Sequence, residues 1–563
     1  MDVNACQLPL SPYSLFLKAL SLVPIHHYLC CLFLLSLIFL YNFLEFHFLA
    51  DFLSGFRGDP VSLTYRPGSR LYQSVAAKCR VLHGRYSPTP WLSSPHLITA
   101  YLSKIAKAPD ATYRREIFRA SDGGTIALDW LMHSDVKGGV SSVNDAEKTP
   151  ITVVVPGLTS DSASAYIKHL ALRIAKGGWN VVVCNHRGLG GVSITSDCFY
   201  NGGWTEDIRK IIDHISGRFP EAPLYAVGAS LGANMLVKYL GEDGDKSPLI
   251  GAAAVCSPWD LLMCDRYINR MPVQKFYDRV LAGGLKAYAQ LHQSTMSRLT
   301  NWDSVTKARS IRDFDSHATR ILAKFETVDA FYRRSSCVNF ICNVSVPLLG
   351  ISALDDPVCT KEAIPWDECR TNGNIILATT KHGGHLAYHE GITANSLWWV
   401  RAVDEFFHAL DCSPLRNRLK KMDSLRVAVP QGSSIDQQGP YLSVTKDAMV
   451  AAVSSCGEEN LEEDIKEDGI PTSKTSKNND MTPDEAQSET ELKEPSNGNL
   501  KLKDLIFPDE RTLDQLSRHC RNSFWLGAYI ALVTTLPLLG PSLTVFLQQK
   551  MRKLRIPNFL LKK

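Results

Sequence analysis

No CxxC pair occurs among the 15 cysteines of this 563-residue chain. Paired cysteines close in sequence are what zinc-finger-like sites need, so that class drops out. The cysteines are odd in number and scattered, which argues against a disulfide scaffold and for thiols facing a reducing compartment. Cys184 and Cys256 fall in strand-like apolar runs, where a thiol serves as a small buried hydrophobe. Strong charge is lacking too. The formal net charge is +4, with no long basic stripe, so nothing points to nucleic acid. Aromatic residues are missing throughout Glu458–Glu494, which is rich in Glu, Asp, Ser, Thr and Asn. Such a segment cannot offset its ordering entropy by burial, so a disordered acidic linker is expected over about 426–503. The remaining composition, 45% hydrophobic and 21% charged, is that of a globular protein. The length exceeds what one core fills, roughly 250–300 residues, so one large domain with accessory segments is expected.

Two long apolar runs stand outside that domain. Tyr28–Leu49 is apolar over the length needed to span a bilayer, with Glu45 and His47 near its end. It is longer than a signal-peptide core and no small-x-small cleavage site follows, so residues 1–56 read as an uncleaved N-terminal anchor with its span at about 28–49. The second run, Phe524–Phe546, is interrupted by Pro537, Gly540 and Pro541 and reads as a kinked span or a re-entrant hairpin. A basic tail, residues 547–563, follows it. Arg57, Arg66, Arg70, Lys78 and Arg80 follow the first run, against Lys18 before it, which puts the folded domain in the cytoplasm. The tail's Lys and Arg residues point to the same side, which a hairpin would reconcile and a second full span would not. The organelle is not specified; endoplasmic reticulum and plastid membranes both fit.

Between these runs the chain alternates between strand-like and helical patterns. Ile151–Val155, Trp179–Cys184, Leu224–Val227, Ala252–Cys256, Leu348–Ser352 and Asn374–Thr379 are short, continuous apolar runs. Continuity rather than alternation marks strands buried on both faces, as in a parallel sheet with helical crossovers. The expected class is therefore α/β, doubly wound, over residues 113–412, preceded by a lead-in region, 57–112. Asp260–Val346 lacks strand runs and reads as a helical cap, about 260–345, inserted into the sheet topology.

The chemistry lies at the ends of these strands. Gly228-Ala229-Ser230-Leu231-Gly232 follows a strand-like run and precedes a helical one. That context suits a nucleophile elbow, where glycines on both sides let the chain reverse tightly and lift the Ser230 hydroxyl above the sheet. A serine needs a base, and the base an orienting carboxylate. Asp355 and Asp356 follow a later strand; His382, His385 and His389 follow the last one. His385 is preferred as base because Gly383 and Gly384 free its loop, with His382 and His389 left to surface or structural roles. Asp356 opens a D-P-V run and is preferred as acid, with Asp355 the alternative. An oxyanion hole needs two backbone N–H groups. Leu231, after the serine, and Leu158, in the Pro156-Gly157-Leu158-Thr159 turn, are the expected donors. Gly188-Leu189-Gly190-Gly191 imitates a dinucleotide loop, but its third glycine is out of place.

Taken together, P-G-L-T, N-H-R-G with its downstream T-S, G-A-S-L-G, S-P-W-D at Ser257–Asp260, D-D-P and H-G-G-H resemble one subgroup of α/β-hydrolases, over roughly Tyr113–Leu410. It comprises plant embryogenesis-associated proteins, YheT-like hydrolases and membrane-anchored phospholipid and acylglycerol hydrolases. The resemblance implies the α/β-hydrolase fold, a Ser230–Asp356–His385 triad and esterase or lipase activity on lipid-like or small acyl esters. No metal or cofactor is implied, and an N-terminal anchor is usual in eukaryotic members. An acyltransferase with the same triad, or a silent membrane scaffold recruiting partners through the acidic linker, are the rival readings.

Overall fold

The computed structural model describes Tyr13, residues 20–42, Glu45, residues 57–136 and 147–417, and the backbone of 442–444 and 450–452. The second apolar run and the basic tail lie outside the described residues, as does most of the linker; within it the described backbone forms one antiparallel pair, Leu442–Val444 with Val450–Ala452.

In chain order the elements that build the site are α1 (Ile25–Asn42), β1 (Ser62–Tyr65), α2 (Pro95–Lys104), β2 (Arg114–Arg119), β3 (Thr125–Leu131), β4 (Ile151–Val155), α3 (Ala165–Lys176), β5 (Asn180–Cys184), α4 (Glu206–Arg218), β6 (Leu224–Ala229), α5 (Leu231–Asp243), β7 (Gly251–Val255), α6 (Leu261–Ile268), α7 (Pro272–Leu291), β8 (Leu348–Ala353), β9 (Ile375–Thr380) and α8 (Trp398–Asp411). The strands form one nine-stranded sheet in the order β1-β9-β8-β7-β6-β4-β5-β3-β2. From β9 to β5 every neighbouring pair is parallel. β1, β3 and β2 join antiparallel at the edges.

The continuous apolar runs are explained by two buried faces. Ile151, Val153 and Val155 pack with α4 and α5 on one face, while Val154 packs with α3 and α8 on the other. A strand covered twice has no polar side, so no alternation shows in its sequence.

Three strands carry no such run, and each absence has a reason. β2, Arg-Arg-Glu-Ile-Phe-Arg, is an edge strand with partial burial at alternate positions only. β3 is buried but carries Asp129, whose charge is met by Arg115, Ser162 and Asn185. β1 has four residues and pairs with β9, so the stretch expected as a lead-in contributes to the main sheet.

The helical cap follows β7. Its core joins Leu285, Tyr288, Met296 and Phe314 to Phe199 and Tyr200 of the sheet domain. One edge rests on the glycine run that imitates a dinucleotide loop: His292 Nε2 donates to the Gly188 carbonyl at 2.8 Å. A Cβ on Gly188, at φ +77°, would come within 2.5 Å of that ring nitrogen. The glycine is needed for the seat of the cap.

Candidate active site

Ser230 is the one residue between β6 and α5, held at φ 51°, ψ −122°. A non-glycine residue there is strained by about 1–3 kcal/mol and stays only because its surroundings over-determine it. Its N–H donates to the Val255 carbonyl at 2.9 Å. The flanking glycines meet backbone directly. A Cβ on Gly228 would lie 2.5 Å from the Gly232 oxygen, and one on Gly232 would lie 2.3 Å from the carbonyl oxygens of Val155 and Pro156.

The structure brings Ser230, His385 and Asp356 together. Ser230 Oγ is 2.9 Å from His385 Nε2, and His385 Nδ1 is 2.8 Å from Asp356 Oδ2. Asp356 is buried, and its Oδ1 accepts the N–H groups of Val358 at 2.8 Å and Cys359 at 2.9 Å. Both oxygens are thereby oriented. Asp355 turns away: its Oδ1 accepts the Gly384 N–H at 2.9 Å and its Oδ2 lies 3.3 Å from His382 Nδ1. Burial pushes the pKa of Asp355 up, against the opposing bonds from His382 and Gly384. Asp355 and His382 thus brace the loop that carries His385. His389 is buried, with Nδ1 donating to the Ala394 carbonyl at 2.8 Å, and burial lowers its pKa to about 4.

That loop has a support the sequence does not advertise. Thr99 Oγ1, on α2, accepts the His385 N–H at 3.0 Å and itself donates to the Pro95 carbonyl. A Cβ on Gly384, at φ +57°, would sit 2.5 Å from the same oxygen. The only sequence signal would have been the helix start at Ser94-Pro95, which says nothing about what the helix touches.

Leu158 and Leu231 both flank Ser230 on the wall of one cavity. Tyr166 accepts the Gly157 N–H at 3.0 Å and Tyr200 accepts the Thr159 N–H at 3.1 Å. Among the described residues the N–H groups of Leu158 and Leu231 have no protein acceptor. The turn is braced by the Asn185-His186-Arg187 run. Asn185 Oδ1 accepts the Ser162 N–H at 2.9 Å, and His186 Nε2 donates to the Pro156 carbonyl at 2.9 Å. Arg187 is buried and fastened by two bonds to Asp207.

Cys256, Asp356 and His385 place donor atoms within 4.8 Å of one another, a spacing that could hold a metal ion. Their chemistry fits poorly. His385 Nδ1 and both Asp356 oxygens are occupied by hydrogen bonds, and burial pushes the Cys256 thiol well above its usual value. A metal would need that thiol deprotonated.

The cavity above Ser230 encloses about 1150 Å³ including its opening to solvent. It runs from Ser230 and His385 into the cap, between Leu261, Ile268, Leu285, Met296, Phe314 and Phe331. Few polar groups interrupt it. Asp315 lies in a π-helical turn, Asp315–Thr319, and accepts the hydroxyls of Thr319 and Tyr332. Burial raises its pKa to about 6 despite those two bonds. Asp265, also on the wall, is paired with Arg312 at 2.6 Å.

Comparison with known proteins gives consistent matches. Residues 146–375 match a family model, Hydrolase_4, described as serine aminopeptidase, S33. The embryogenesis-associated protein EMB8 of Picea glauca is 34% identical over 358 residues, covering 62% of this chain and 78% of that protein. Human phospholipase ABHD3 is 30% identical over 333 residues, covering 59% and 80%. A Saccharomyces cerevisiae protein named medium-chain fatty acid ethyl ester synthase/esterase 2 is 29% identical over 391 residues, covering 58% and 86%.

Proposed function

The chain belongs to the ABHD-type α/β-hydrolases and is a carboxylic-ester hydrolase, and from that premise we propose that it is a membrane-anchored serine hydrolase of lipid esters. The observation that carries the reading is the unbroken relay from Asp356 through His385 to a strained Ser230 at the floor of an apolar cavity.

In the proposed mechanism Ser230 Oγ attacks the ester carbonyl while His385 Nε2 takes its proton. Asp356 accepts the Nδ1–H, which fixes the tautomer and favours the imidazolium. The N–H groups of Leu158 and Leu231 receive the developing oxyanion. The imidazolium then protonates the leaving alcohol. Water, deprotonated by His385, releases the acid and restores the serine. The apolar walls suit an acyl chain. The names of the phospholipase relative and of a yeast monoacylglycerol lipase, 30% identical over 271 residues, favour glycerolipid substrates.

The anchor would be α1. It is 18 residues long, about 27 Å at 1.5 Å per residue, and none of its residues is buried. The positive charges that follow it keep the proposal that the domain faces the cytoplasm. The domain division proposed is an anchor over 1–56, a hydrolase domain over 113–412 joined by residues 57–112, and the linker, second apolar segment and tail beyond.

One second reading has a specific observation behind it. The yeast relative is named both synthase and esterase, and an alcohol replacing water in the second step would make this chain an acyltransferase. Both readings are tested by giving the membrane-bound protein a long-chain glycerolipid ester, with and without ethanol. Free acid in both conditions, absent for Ser230→Ala, supports hydrolysis; ethyl ester as the dominant product supports transfer; neither product sinks both.

A further inference from the structure

Helix α7 faces two ways. Leu281, Leu285 and Tyr288 on its inner side line the cavity over Ser230. Its outer side carries Pro272, Phe276, Val280, Gly283, Ala287 and Leu291, all exposed. At about 100° per residue these six fall within about 100° of the helix circumference, an apolar stripe along its length that is interrupted at one margin by the exposed Gln290. A stripe of that width ordinarily faces a core, yet Phe276 is 63% exposed and Leu291 75%. Lys275, Arg279 and Lys286 follow one edge of it. The helix's one carboxylate, Asp278, is buried on the inner side, where it accepts the Ile311 N–H at 2.8 Å. An apolar face edged by cations and free of exposed carboxylates is the pattern of a helix lying in a membrane interface.

No residue of α1 is buried, so α1 itself does not cover the stripe. The cations along the stripe's edge complement anionic headgroups, and the anchor proposed above keeps the domain beside such a surface.

We propose that the outer face of α7 docks in the headgroup region of the bilayer that α1 enters, so that one helix both touches the lipid surface and roofs the cavity. This rests on the membrane-anchored reading above and adds a surface and a route: lipid esters reach Ser230 beneath α7 without crossing water.

The test uses the full chain reconstituted in phosphatidylcholine vesicles, with or without phosphatidylserine, carrying a phospholipid with a photoreactive group at headgroup depth. Lipid adducts are mapped along the chain. Adducts are expected on residues 272–291, falling by about fivefold or more in a Phe276→Ser, Val280→Ser, Leu291→Ser variant. Adducts on 272–291 are also expected to rise when phosphatidylserine is present and to lose that rise when Lys275, Arg279 and Lys286 are changed to Glu. Adducts absent from 272–291, or unchanged in the serine variant, overturn the proposal. So does a serine variant that splits a dimer of the chain, since a second copy would then cover the stripe. Hydrolysis of a soluble short-chain ester, measured beside it, is expected to stay within about twofold in the serine variant; wild-type protein inactive on that ester while still forming the adducts would sink the hydrolase reading and leave the docking surface standing.

Discussion

The floor and the roof of the cavity are built by opposite rules. At the floor the polar atoms of the triad each have an assigned partner, Ser230 to His385, His385 to Asp356, Asp356 to two backbone N–H groups and His385 N–H to Thr99, and the N–H groups of Leu158 and Leu231 stand open among the described residues. In the roof, Leu285, Met296, Phe314 and Phe331 need only be apolar and of roughly the right bulk. Breaking a bond demands atoms fixed to a fraction of an ångström; accommodating a lipid chain demands mainly that polar groups be absent or satisfied. The floor should therefore fail sharply when single atoms change, and the roof should yield gradually.

The largest effect expected is at the floor. Ser230→Ala should lower ester hydrolysis by about 10⁴-fold or more with the fold intact by circular dichroism. The two adjacent acids sharpen the contrast. Asp356→Asn should cost about 10³–10⁴-fold in kcat, because the imidazole loses its orienting acceptor. Asp355→Asn, which disturbs only the brace on the His385 loop, should stay within about tenfold; equal losses in the two variants would break the proposed assignment.

Backbone packing comes next. Gly232→Ala drives a Cβ to 2.3 Å from two carbonyl oxygens, and a loss of about 3 kcal/mol or more is expected in denaturation of the detergent-solubilised protein. Gly283→Ala on α7 meets nothing within 4 Å and should gain about 0.5–1 kcal/mol from helix propensity. In the roof, Asp315 contributes pH dependence. Burial raises its pKa to about 6, so the folded state holds its proton more tightly than the unfolded state does. The associated stability is fully present below the unfolded value near pH 4 and is lost as pH rises through about 6. Asp315→Asn should therefore match wild type near pH 4 and exceed it at pH 8 by at most about 3 kcal/mol, read from denaturation midpoints at the two pH values.

The same contrast explains what could be read from the sequence. The six strands buried on both faces were legible because burial leaves an unbroken apolar run. Ser230, Asp356 and His385 stood out because the elbow needs its glycines and because strand ends are where side chains converge. β2 and β3 were not legible, since edge exposure in one and Asp129 in the other erase the apolar run. Thr99 was invisible because it acts through a contact far away in sequence, meeting His385 across 286 positions; Tyr166 lies only nine positions beyond Gly157, but nothing in the sequence says that its hydroxyl turns back to that N–H. The D-P-V run favoured Asp356 over Asp355, but both stand at the same strand end and their directions were not legible: Asp356 meets His385, while Asp355 meets His382 and the Gly384 N–H. The cap's helical character was legible but its lining was not, because many apolar sequences would serve.

The central claim is that Ser230 is an activated nucleophile, and labelling of the membrane-bound full chain by a fluorophosphonate tests it most directly. The account predicts one labelled band for wild type, abolished in Ser230→Ala and in His385→Ala. Labelling that persists in folded Ser230→Ala, or none in folded wild type supplied with lipid, would contradict it.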